Sequence, residues 1–197
     1  MKTQAALALV ATILAALIGA ASASAAKFTA GKSGAKIVES TLVQTVFGVT
    51  GSKMQCNEIT YTGTTEGTEY TNQKLVPSYG GCTAFGFTAT ITNSGCTYNW
   101  SAAATASVEG ASCTLTVQVN NVFAKCKALV KSQTGVTGFS WSEGSGDLVG
   151  KANVSNIVDE VTESWGLCPL TVGKHANGSI TGESTVGAEG TTIGWDA

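Results

Sequence analysis

Apolar and polar positions alternate most cleanly between Leu75 and Trp100. Phe85, Phe87, Ala89 and Ile91 fall on one parity, and Gly86, Thr88, Thr90 and Thr92 on the other. A period of two with one apolar side describes a half-buried strand. Gly80-Gly81 before it and Asn93-Ser94-Gly95 after it supply turn chemistry. The pattern predicts a central strand with a cysteine near each end, Cys82 and Cys96.

The same reading extends along the chain. Ile37-Val38, Leu42-Val43 and Val46-Phe47 predict one or two strands. Lys53–Gly63 reads as a strand with Met54 and Cys56 inward, returning through Glu69–Val76 and ending at Pro77. Cys96–Trp100 is expected to pair with Val108–Val119 across Ser101–Ser107. Lys125–Lys131 places Cys126, Ala128 and Val130 on one parity, and Phe139–Ser142 is a short strand. Asp147–Val158 is long, and its parity shifts near Ile157, which predicts a bulge. Glu160–Trp165 is expected to return, and Ser179–Val186 with Thr191–Trp195 to form a final hairpin. No segment sustains a helical period. The expected class is all-β: a disulfide-linked β-sandwich, or a related barrel, of roughly ten to twelve short strands.

The N-terminus has a different pattern. Lys2 precedes an apolar run from Ala5 to Ile18, and Ala23-Ser24-Ala25 fits a small-residue cleavage signature. Residues 1–25 read as a secretory signal peptide, leaving 26–197 as one secreted domain with no membrane association. Six cysteines in that remainder, Cys56, Cys82, Cys96, Cys113, Cys126 and Cys168, read as three disulfides of an extracellular protein. Six cysteines allow fifteen connectivities. The sequential set, Cys56–Cys82, Cys96–Cys113 and Cys126–Cys168, is the expectation chosen among them. The middle pair has the best local argument, since both cysteines begin strand-like runs.

Charge narrows the function classes. The net charge is −2, and every basic residue is lysine. Without arginine, the usual bidentate partner of phosphate, nucleic acid is not an expected partner. No cofactor and no metal site is expected, because no pair of cysteines has the C-x2-C spacing of a zinc site.

The segments L-x-P-x-Y-G-G-C at 75–82, G-C-T-Y at 95–98, A-N-V-S at 152–155 and N-G-S-I-T-G at 177–182 carry a resemblance. In their order the chain resembles small secreted cysteine-containing β-proteins of soil actinobacteria, a group without an assigned activity. The resemblance implies export and a β fold, and it carries over no catalytic residue.

Candidate chemistry is sparse. His175, the one histidine, sits in a polar KHANG segment without a G-x-S-x-G elbow elsewhere, and reads as a solvated loop residue. Asp159, Glu160 and Glu163 are the densest acidic group. Neighbours on a strand face opposite ways, so a solvated edge is expected rather than a paired-carboxylate site. Glu143–Asp147 lacks the calcium-loop pattern and reads as a Gly-rich turn. Trp100, Trp141 and Trp165 remain as ligand-contact candidates, since an exposed indole can stack on a sugar ring. The expected function is a non-enzymatic structural or binding module outside the cell, with a glycan or a surface protein as partner. The alternatives are an exported carboxylate hydrolase and a carrier of an apolar small molecule, the last requiring a large internal cavity.

Overall fold

The computed structural model describes residues 25–49 and 52–197, without the side chains of 39–45. The expected signal peptide, apart from Ala25, lies outside the described residues.

Fifteen strands and no helix occur among the described residues. In chain order they begin with β1 (Lys27–Ala30), β2 (Ile37–Val49), β3 (Ser52–Thr62), β4 (Glu69–Tyr70) and β5 (Asn72–Ala84). Next come β6 (Phe87–Ser94), β7 (Thr97–Ser101), β8 (Thr105–Glu109), β9 (Thr114–Asn120) and β10 (Ala124–Lys131). The last are β11 (Gln133–Thr137), β12 (Phe139–Glu143), β13 (Leu148–Gly166), β14 (Gly173–Ala188) and β15 (Ile193–Asp196).

The all-β expectation holds, and the architecture is a closed barrel rather than a sandwich. Eight antiparallel strands run β5-β3-β2-β14-β13-β10-β9-β6, and a short β5–β6 ladder, Thr83 opposite Thr88 and Ala84 opposite Phe87, completes the circle. Closure removes the free edges that an open sheet of this size would expose. Three further strands, β7, β8 and β11, branch from the first half of β5. β12 pairs with β13, and β15-β1-β4 form a small separate sheet.

The branch explains Pro77, which the sequence pattern treats as a strand end. β5 continues through it, buried and opposite Tyr61 of β3. On its other side β5 pairs with β7 over Asn72–Leu75 and with β6 at Thr83 and Ala84. Pro77, which lacks an N–H, sits in the gap between those two ladders. Asn93 fills the corner: its side-chain amide donates to the Pro77 and Cys96 carbonyls, and its Oδ1 accepts from the Cys96 N–H.

Four further expectations are corrected. Phe85 and Gly86 form a hairpin turn between β5 and β6, with φ of 55° and 81°, so the expected central strand is split there. Positive φ at both central residues matches the right-handed twist of the flanking strands. β7 pairs with Thr105–Glu109 rather than with the Val108–Val119 run, most of which becomes β9 between β6 and β10. β13 continues without a break to Gly166, so Glu160–Trp165 is not a return strand. β15 pairs with β1, Lys27 opposite Asp196, instead of forming a hairpin with β14.

Two apolar clusters fill the interior. One, built on Met54, Cys56, Cys82, Ala89, Val119, Cys126, Val161 and Leu170, closes one end of the barrel. The other, built on Phe28, Leu75, Tyr98, Trp100, Trp141 and Leu148, joins the barrel to the outer strands and the small sheet. The disulfides are Cys56–Cys82, Cys96–Cys113 and Cys126–Cys168, the sequential set. Cys56 and Cys82 face each other directly across β3 and β5.

Candidate functional site

Between the clusters lies an apolar cavity. Its volume is about 110 Å³, and it opens to solvent at a mouth. Barrel strands supply Ile59, Ile91, Val117, Ile157 and Ile180 to its wall. β7, β8 and β11 cover it with Tyr98, Trp100, Val108 and Val136. An eight-stranded barrel is wide enough to be filled by side chains or to hold one small ligand.

Aromatic rings dominate the covered side. Tyr61 and Trp100 meet edge to face with centroids 5.3 Å apart, and Trp100 lies 5.5 Å from Phe139. The Tyr79 and Tyr98 hydroxyls hydrogen-bond to each other, tying the barrel wall to its cover. Burial pushes the Tyr98 hydroxyl up to about 12, with the Tyr79 bond pulling the other way, so it stays neutral. Trp100 Nε1 is buried and has no hydrogen-bond partner among the described residues.

Asp159 is the anomaly in this wall. It lines the cavity and is 3% exposed, yet neither carboxylate oxygen has a hydrogen-bond partner among the described residues. Its position follows from a backbone irregularity. The β13–β14 register slips between Val154 and Ile157 and again before Asp159, and Asn156 takes a φ of 62°. Before the slip Leu148, Gly150 and Val154 are buried; after it Ile157, Asp159 and Val161 are. The parity shift expected near Ile157 is therefore present, and it turns Asp159 inward. Gly178, opposite Ile157, makes room: a Cβ there would come within 3.3 Å of Asp159 Oδ1 and 2.8 Å of the Ile157 carbonyl. Burial raises the Asp159 carboxyl above the ordinary aspartate range, and the neighbouring His175 partly opposes that rise.

The solvated acidic edge is thus corrected at one position. Asp159 is interior, whereas Glu160 pairs with Lys131 on the surface at 2.9 Å and Glu163 is exposed. A second carboxylate on the cavity wall, Glu183, is paired with Lys151 at 3.0 Å. Lys151 and Asp159 are eight residues apart on β13, which at strand spacing is roughly 20–25 Å. That separation exceeds the reach of a two-carboxylate hydrolase. His175 lies opposite Asp159 on β14, and its Nε2 is 2.8 Å from the Thr171 carbonyl oxygen.

The three tryptophan candidates separate. Trp100 is buried and lines the cavity. Trp141 is buried 5.0 Å from Trp100, beside Phe28, and donates from Nε1 to the Ser101 carbonyl. Trp165 is 57% exposed at the opposite end, near Phe123 and Leu167. Buried indoles offer no flat face to a sugar polymer, so these residues do not form a shared exposed platform. The sequence reading missed Asp159 and the apolar wall. The signal for Asp159 was present: continuing the shifted alternation two residues past Ile157 places it inside.

Comparison with family models, with curated proteins and with solved structures finds no match to this chain.

Proposed function

We propose that this protein is an exported binding domain that carries one apolar small molecule inside its barrel. The observation that carries the reading is a cavity of about 110 Å³ walled by aliphatic and aromatic side chains. Ligand sites are lined mainly by apolar groups with a few polar ones, as this cavity is. The three disulfides are typical of extracellular proteins and support export.

The outer face supports a water-borne carrier. Lys53, Thr60, Thr83, Thr88, Thr90, Thr92 and Lys125 are exposed there, while the interior is apolar. A lipid-facing barrel has the reverse arrangement, with an apolar outside and a polar lumen.

Titration with the neutral dye N-phenyl-1-naphthylamine tests this. The oxidised protein should take up dye saturably, at one equivalent, with enhanced fluorescence. Ala152→Trp, which adds bulk to the cavity wall, should abolish uptake. Phe123→Ser, at the exposed far tip, should leave it unchanged. Uptake that ignores Ala152→Trp, or no saturable uptake by the folded protein, would overturn the proposal.

A further inference from the structure

We propose that the cavity selects ligands bearing a protonated amine, which the Asp159 carboxylate holds. This rests on the carrier reading and adds a ligand class to it. Asp159 carries an unanswered charge requirement. A buried carboxylate without hydrogen bonds is costly unless a partner neutralises or solvates it. Here that partner is absent from the described residues, because both oxygens of Asp159 are unpaired.

The surroundings do not supply one. On the β14 side Asp159 faces His175, whose Nε2 is engaged with the Thr171 carbonyl and whose electrostatic effect only partly offsets the burial of the carboxyl. On the β10 side the ladder runs to Leu129 opposite Glu160, and Val130 lines the cavity. From β11, Gln133 spends both ends of its amide on the backbone of Val158, accepting from its N–H and donating to its carbonyl. Lys131 is committed elsewhere, to Glu160. The one remaining direction is the cavity.

Among ligand head groups, an ammonium fits best. It gives Asp159 a charge-assisted hydrogen bond, which is stronger than the bond from a neutral hydroxyl. A ligand carboxylate would meet like charge and be rejected. The expected ligand is therefore an amphiphilic amine, with its chain or ring among the apolar residues and its nitrogen at Asp159.

Calorimetric titration at pH 7 with decylamine, decan-1-ol and decanoate tests this on the oxidised protein. Decylamine should bind roughly tenfold or more tighter than decan-1-ol, the gain expected from a charged hydrogen bond. Decanoate should bind weakest. In Asp159→Asn the amine preference should collapse while decan-1-ol still binds. Glu163→Gln, an exposed carboxylate, should keep the preference and so separates Asp159 from the general negative charge. Equal affinities in the wild type, or a preference that survives Asp159→Asn, would overturn the amine inference alone. If none of the three binds saturably, the carrier reading fails and takes this inference with it.

Discussion

The two ends of the barrel interior are built on the same strands and have opposite characters. At the packed end the wall is small: Ala84, Ala89, Ala124, Ala128 and two disulfides. At the open end it is larger, with Ile91, Val117, Ile157 and Ile180. Small walls should leave more room, yet the end with small residues is the full one. The difference is a plug. Leu170 reaches into the packed end from the segment between β13 and β14, and Cys168 of that segment is tied to Cys126 of β10. Ser164 Oγ, which donates to the Leu170 carbonyl, holds it from the barrel side. The open end has a cover made of β7, β8 and β11 instead, and a cover encloses space without filling it.

Breaking the tether should have the largest effect. Cys126→Ala with Cys168→Ala is expected to cost about 2–5 kcal/mol in urea unfolding, as for other native disulfides. Next is the plug itself: Leu170→Ala should cost about 2–4 kcal/mol, whereas Ile91→Ala on the cavity wall should cost about 1 kcal/mol. The contrast arises because Ile91 is only partly buried, and carbons lost beside an existing void leave less newly unfilled space than those lost from a packed plug. Equal losses at the two positions would mean that the open end is filled in solution.

Asp159→Asn should act in the other direction. A carboxyl raised by burial binds its proton more tightly in the folded than in the unfolded chain. The wild type therefore gains stability as pH falls through the raised value, and the gain is complete below the unfolded value of about 4. At pH 7 the variant should be more stable, because its amide carries no charge that burial must desolvate. That advantage should shrink on acidification, as thermal melts across pH would reveal. The smallest effect is expected outside both ends. Lys36→Ala removes an exposed pair with Glu189 at 3.2 Å and should change stability by less than about 1 kcal/mol.

What was legible in the sequence was what local chemistry decides. The three disulfides match the sequential set chosen among fifteen connectivities, and Cys56 does lie opposite Cys82, as the hairpin reading of its strand suggested. The bulge near Ile157 appeared as a parity shift. Barrel closure was not legible, because it depends on β5 serving two sheets, and a single strand's alternation does not reveal its neighbours. The Phe85-Gly86 turn was hidden because alternation runs across it and the usual Asn-Gly signal is missing. Asp159 was misplaced for a physical reason as well. Charged side chains are normally outside, and that general tendency outweighed the two-residue extrapolation that would have turned it inward.

The pairing of β2 with β14, Phe47 opposite Ile180, also sets an order in time. Seven of the eight wall strands precede β14 in the chain. A chain emerging N-terminus first therefore holds an open, curling ribbon with its apolar face uncovered until nearly its whole length is available. Contacts of such long sequence separation form slowly, and an uncovered apolar face is exposed to association in the interval. The binding compartment does not exist while the chain is being made.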